Sequence, residues 1–473
     1  MAEDKNETSP NAGGEQPAQE ITPPAKDESK EIVKDATKKV EENGEGEKPN
    51  ENGEEKSTPE PKDMKAIVLN GFGGLKSVKV LKKPEPTLAE GEVLIRVKAC
   101  GLNFQDLMAR QGAIDSPPKT PFILGSECAG EIEQVGEGVE NFKVGDRVVA
   151  LPDHKAWAEL VAVPATSVFA LPSDMSYLDA AAITMNYTVA YILLFELANL
   201  TPGKSLLLHS AGGGVGQAVV QLAKTVKDVT IFGVCSKGKH ESLKDTGIDH
   251  LIERGVDYVN EVRKISGEGV DIVLDCLCGQ ECNHGYNLLK PMGRYILYGS
   301  SNVVTGETKS IFSAARSVSK YFQWWQVDKV SPIKLFYENK TISGFNLRHL
   351  MYQSGCYEFV RKAVNQVFQL WKDGKVKPVV DSTWALEDVP EAMQRMHDRK
   401  NVGKIVLDPS QEPKPKPATP AKSKTKDKKN QNQEEKKAAS VDSEESEKKK
   451  EPELTNGTSE DKSDSDSKEK ESS

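Results

Sequence analysis

Aromatic residues make up only 6% of the 473 positions, and the two ends of the chain hold none of them. Residues 1–63 and 410–473 are also nearly free of branched apolar side chains. Neither segment can bury enough apolar surface to offset the entropy of ordering it, so both are expected to be disordered tails. The first carries 18 acids against 9 lysines and the second 16 against 15, which leaves residues 64–409 close to neutral and puts most of the net −9 in the N-terminal tail. A folded part without a basic face argues against nucleic acid as a main partner. The lysine-rich run Lys414 to Lys429 is the exception. It suits anionic lipid or an acidic partner, opposed by phosphorylation of the serine-acid run after Val441, although a solvated low-complexity tail is the simpler reading.

A signal peptide is not expected, because the first residues are polar and acidic. Long apolar runs are scarce too. The longest, Ala180 to Ala198, is broken by Thr184, Asn186, Thr188 and Glu196, which predicts a core helix rather than a membrane span. Seven cysteines, an odd number without a paired framework, fit a reducing compartment. The expectation is a cytoplasmic protein with peripheral contact to vesicle or mitochondrial outer membranes.

What the chain does have is Ser205 to Lys224, SLLLHSAGGGVGQAVVQLAK, which reads as a buried strand, a glycine-rich turn and a helix in succession. The turn runs Ala211-x-Gly213-Gly214-Val215-Gly216, with alanine at the first position of the dinucleotide signature. Glycines there let backbone N–H groups approach a pyrophosphate at the positive end of the helix dipole. About twenty residues on, an NAD site places a carboxylate on the ribose 2′-hydroxyl. This chain instead has Cys235-Ser236-Lys237-Gly238-Lys239 after the strand Val229 to Val234. Ser236 and Lys239 suit a 2′-phosphate, so NADPH is favoured over NADH; a solvated basic loop is the alternative.

The rhythm of the folded part changes along its length. Residues 64–187 show short strands punctuated by Gly and Pro, as in a β-rich domain. Residues 188–330 alternate strands and helices, with strands at Ser205–His209, Thr230–Val234, Asp271–Asp275 and Gly293–Tyr298, as in a Rossmann doubly wound parallel sheet of an α/β protein. Residues 331–409 are mixed and are assigned back to the first domain. Gly299 and Ser300 follow the last of those strands, at the end of the sheet where ligands bind.

This division resembles the zinc-independent quinone oxidoreductase branch of the medium-chain dehydrogenases/reductases, over essentially all of residues 64–409. The resemblance rests on the stretch from Ala99 to Gly112 (ACGLNFQDLMARQG), Leu124 to Val139 (LGSECAGEIEQVGEGV), Lys143 to Val148 (KVGDRV) and the glycine turn. LNFQDLMARQG, GYNLLKPMG, SGFNL and NVGKIVL further resemble the subgroup of synaptic-vesicle membrane protein homologues. The family implies a GroES-like fold for the β-rich domain and a homodimer. It also implies that Asn103 and Thr188 flank the nicotinamide and that Lys404 approaches the phosphates; a surface lysine is the alternative for Lys404.

In the zinc alcohol dehydrogenases of the same architecture, a cysteine and a histidine stand where this chain has Asn103 and Ser126. With two of the expected ligands gone, a catalytic zinc would lack the three protein ligands it needs, and a metal-free site is expected. A second cluster, Cys276, Cys278, Cys282 and His284, is dense enough in soft ligands to weigh as a metal or redox site, with strand geometry against it. Without a Lewis acid, the acceptor implied is a small-molecule quinone or polarised enone. A tyrosine often found in the family is Ile114 here, so Tyr187, Asp106 or a water remain open as proton donor. The alternative function is an NADPH-binding scaffold or lipid-transfer protein at vesicle or mitochondrial membranes. It is motivated by the helical spacing of Phe312, Ala315, Val318, Phe322 and Trp325, which also fits packing in a core or dimer.

Overall fold

The computed structural model describes residues 62–302 and 331–415. Most of both tails, and the segment from Phe312 to Trp325, lie outside the described residues.

The N-terminal part is built from short antiparallel strands. β1 (Asp63–Leu69) pairs with β2 (Val78–Pro84), and β3 (Glu92–Leu102) forms the spine of a larger sheet. β4 (Phe122–Ile123) pairs with β1, while β5 (Cys128–Val135), β6 (Arg147–Ala150), β7 (Leu160–Pro164) and β8 (Val168–Ala170) complete the sheet around β3. In β3 the exposed Arg96 and Lys98 alternate with buried Ile95, Val97 and Ala99, the pattern of a half-covered strand. From Ala99 onward both faces are buried, because helix α2 (Tyr177–Tyr191) packs there after α1 (Phe104–Arg110) has turned the chain at the strand's end. The wholly buried Trp157 fixes that end by donating its indole N–H to the Gly101 carbonyl at 3.1 Å.

The second part is a six-stranded parallel sheet: β9 (Ser205–His209), β10 (Thr230–Cys235), β11 (His250–Glu253), β12 (Val270–Asp275), β13 (Leu289–Leu297) and β14 (Thr341–Gly344), in the order β11-β10-β9-β12-β13-β14. Every residue of β9 is buried, as a central strand covered on both faces requires. The order reverses between β9 and β12, and the crevice at such a switch point is where ligands bind in sheets of this kind.

Two boundaries differ from the sequence reading. β14 lies in the segment assigned to the β-rich domain, yet it pairs with β13 in parallel, Ile342 opposite Tyr295. Its four residues, Thr-Ile-Ser-Gly, carry no apolar run, because an edge strand buries little. The helix Tyr357–Lys372 likewise packs Val360, Val364 and Val367 into the core that holds Leu206 and Leu208. The end of the chain returns: β15 (Val380–Ala385) pairs with β16 (Lys404–Asp408), β16 runs antiparallel to β3 with Ile405 opposite Leu102, and the helix Val389–His397 between them packs Val389, Ala392 and Met393 into the β-rich core. Residue 187 is no boundary at all, since α2 continues through it to Leu197 as one helix. That helix has the length and apolarity of a span, but 67% of its apolar window is buried in the core, as its polar interruptions predict.

At the carboxyl end of β12 the fully buried Asp275 accepts hydrogen bonds from the Leu277 and Cys278 amides, the Cys282 thiol and the Tyr295 hydroxyl. Asp275→Ala leaves these donors without an acceptor and is expected to cost about 3 kcal/mol, read as a lower urea midpoint at unchanged slope.

Candidate cofactor and active-site cleft

A cleft of about 1070 Å³ runs along the carboxyl ends of β9, β10, β12 and β13 and reaches the loops of the β-rich part. At one end helix α3 (Gly214–Ala223) begins directly from the glycine turn, and Gly213, Gly214, Val215 and Gly216 line the cleft. The turn is held from below: Gln217 donates its side-chain amide to the Ala211 carbonyl at 2.9 Å. Gly216 is a steric requirement, since a Cβ there would lie 2.5 Å from the carbonyl oxygens of both Ser210 and Ala211.

Beyond the turn, Ser236, Lys239 and Arg254 line one wall. Arg254 donates to the Ser210 hydroxyl at 3.1 Å, while its buried Nε lacks a partner. The Lys239 ammonium donates to the Asn401 carbonyl. Burial, and after it the nearby Arg254 guanidinium, hold the Lys239 pKa below the usual lysine range. Two cations that disfavour each other, with no carboxylate among the cleft residues beside them, form a wall that an anion would stabilise.

From the β-rich part, Asn103 stands at the junction of β3 and α1, and Lys404 opens β16. Both are buried and both line the cleft. Lys404 is therefore no surface lysine: its ammonium donates to Asn103 Oδ1 at 2.6 Å and to the carboxylate of Glu127. Asp106 accepts the Asn103 backbone N–H at 2.8 Å. Burial pushes the Asp106 carboxyl up to about 7, against the pull of the Asn103 amide and of Lys404.

The structure separates the remaining site residues. Gly299 and Ser300 line the cleft. Thr188 does not: it is fully buried in α2 with its hydroxyl unpartnered, and the lining positions of that helix are Met185, Asn186 and Val189. Ala211 is fully buried beneath the turn. Neither Tyr187 nor Asp106 is a cleft residue, and the Tyr187 hydroxyl is spent on the Lys377 carbonyl at 2.8 Å. The cysteine cluster splits, with Cys276 in the cleft and Cys278 and Cys282 buried among Tyr286, Leu289 and Tyr295. Among the described residues there is no group of three or more His, Cys, Asp or Glu suited to a metal ion.

Sequence reasoning missed Arg254, Asn186 and the pairing of Lys404 with Glu127. Arg254 follows β11, whose His-Leu-Ile-Glu is too short and too charged to read as a strand, so the residue at its tip had no marked place.

Two family models match the chain: the alcohol dehydrogenase GroES-like domain over residues 89–173 and the zinc-binding dehydrogenase over residues 246–407. A human protein named synaptic vesicle membrane protein VAT-1 homolog-like is 56% identical over 351 residues, covering 74% of this chain and 82% of that one. The chain belongs to the VAT-1 homologue family of the medium-chain dehydrogenases/reductases. A crystal structure of the human VAT-1 homolog-like protein superposes with a TM-score of 0.65 at 49% identity, covering 74% of this chain and 99% of that one. A mycobacterial protein, Rv1454c, solved in complex with NADPH, superposes with a TM-score of 0.63 at 26% identity, over 73% of this chain and 100% of that one. The VAT-1 homologue fold is thus that of an oxidoreductase.

The zinc named in one family description does not suit the residues present. A catalytic zinc needs three N, S or O ligands, whereas Asn103 offers the cleft only a carboxamide, and the buried Glu127 behind it is a carboxylate already paired with an ammonium.

Proposed function

We propose that the protein is an NADPH-dependent, zinc-independent reductase whose acceptor is an apolar quinone or polarised enone. The observation that carries this reading is the cationic wall of Lys239 and Arg254 with Ser236, beside a glycine turn that begins a helix. A 2′-phosphate there would pair with both cations and satisfy the orphaned Arg254 Nε, while the α3 N-terminus would face the pyrophosphate. Bound NADPH would supply a hydride.

The rest of the work falls to the chain's own side chains. Met108, Ile114, Val189, Phe345, Leu347 and Leu350 also line the cleft, and such side chains would exclude water and favour a flat apolar acceptor. Asn103 offers a carboxamide to the same cleft. Residues that do not suit a Lewis-acid metal favour an acceptor that carries its own conjugation, with the protein contributing orientation.

Titration of the full chain with NADPH and NADH, followed by absorbance at the reduced-nicotinamide band with a panel of quinones and enones, tests this. Arg254→Ala is expected to weaken NADPH about 10- to 100-fold, from the loss of a charge-assisted contact, and to leave NADH unchanged. Equal affinity for the two nucleotides would refute the 2′-phosphate assignment, and NADPH binding without any turnover would leave a nucleotide-binding protein rather than a reductase.

A further inference from the structure

The buried charges behind Asn103 are arranged to do more than hold the fold. Glu127, wholly buried, receives three donors from three directions: Asn103 Nδ2 on Oε2 at 3.0 Å, the Lys404 ammonium on the same oxygen, and the Met185 backbone N–H of α2 on Oε1 at 2.7 Å. Lys404 in turn donates to Asn103 Oδ1. The Asn103 carboxamide is therefore gripped at both ends, its oxygen by an ammonium and its nitrogen by a carboxylate. Turning it over would set N–H against the cation and oxygen against the anion, so the two charges dictate one orientation. One N–H of the carboxamide is left over.

The grip is joined to the glycine turn. Gly403 donates its N–H to the Gly212 carbonyl at 3.0 Å and bridges Gly213, so the residue before Lys404 is fastened to the turn itself. Space has been cleared for the carboxylate as well: a Cβ on Gly101 would lie 2.1 Å from Glu127 Oε2. A fully buried ion pair is a costly way to stabilise a protein, and apolar residues of similar volume commonly do as well. Its use here calls for a further reason.

We propose that Glu127 and Lys404 are positioning residues that set the orientation of the Asn103 carboxamide toward the nicotinamide. The inference rests on the reading of Asn103 as a neighbour of that ring. It predicts that the pair acts on the nicotinamide half of the cofactor and leaves the adenosine half alone.

The experiment compares wild type, Lys404→Met, Glu127→Gln and the double variant in the full chain, with folding checked by circular dichroism. Each is titrated with NADPH and with 2′,5′-ADP, which lacks the nicotinamide. Lys404→Met is expected to weaken NADPH about 10-fold while 2′,5′-ADP stays within about 2-fold, and to shorten the fluorescence lifetime of bound NADPH as the ring loosens. Glu127→Gln keeps the size of the side chain and removes its charge, and is expected to shift the lifetime the same way. With the best acceptor, kcat should fall more than KM rises. A parallel loss of both ligands would mean a structural role and overturn the proposal, as would variants that bind and fluoresce like wild type. Failure of the wild type to bind NADPH would remove the cofactor reading itself, and this inference with it.

Discussion

Valine at Gly216 is expected to abolish nucleotide binding. The added Cβ falls 2.5 Å from two backbone carbonyl oxygens, and backbone cannot step aside as a flexible side chain would. The turn must then rise away from the helix it begins, taking the N–H groups of the α3 N-terminus out of reach of a pyrophosphate. The loss should be at least about 100-fold in NADPH affinity, roughly 2.7 kcal/mol. Fluorescence titration reads it directly. Gly238 supplies the control, because nothing lies within 4 Å of a Cβ there, and Gly238→Val should bind within about 3-fold of wild type. If Gly216→Val saturates with NADPH as wild type does, the glycine turn is not the pyrophosphate site.

The second large effect is a dependence of stability on pH, seated on Asp106. Burial raises its folded-state carboxyl from 3.8 to about 7, with the Glu127 carboxylate adding to the rise and Lys404 and the Asn103 amide opposing it. Between pH 4 and 7 the folded protein keeps a proton that the unfolded chain has released. Stability contributed by this group is therefore complete below about pH 4, falls as pH rises through that window, and is level above about pH 7. The full span is on the order of 4 kcal/mol. Asp106→Asn removes the titration and retains an oxygen to accept the Asn103 N–H. Urea denaturation of wild type and variant from pH 4 to 8 should give curves that diverge with rising pH, the variant ahead at pH 8. Parallel curves would place the Asp106 ionisation outside this range.

Much of the architecture was legible because two periods dominate the chain. The alternation in β3 and the unbroken apolar run of β9 each admit one burial pattern, and the glycine turn between β9 and α3 fixes where a nucleotide could sit. Edge strands escaped for the opposite reason. β11 and β14 have four residues each and sit at the rims of the sheet, where little burial is demanded and no apolar run marks them. Missing β14 carried the domain boundary with it, and missing β11 hid Arg254.

The site was legible only where chemistry is carried by a local motif. Asn103, Ser236, Lys239 and the glycines are named by their neighbours in sequence. Lys404 was expected at the cofactor phosphates, but its ammonium is held by Asn103 and by Glu127, which lies 277 residues away, and nothing in either segment marks the pairing. Thr188 shows the reverse error: on a helix, a shift of one or two positions exchanges the cleft for the core, so that Asn186 and Val189 face the space expected of Thr188.

The last strand carries one more implication, for the tolerance of the chain to change in length. Gly403 meets the glycine turn through its backbone, and Lys404, the next residue and the first of β16, meets Asn103 through its side chain. A single inserted or deleted residue between Asn401 and Lys404 would turn every following side chain to the opposite face of β16. The ammonium would then point away from Asn103 and leave Glu127 without its counter-charge; after a deletion, buried Ile405 would stand in its place. A segment that runs as a loop between Arg399 and Gly403 is in this respect as fixed in length as the core strand it precedes.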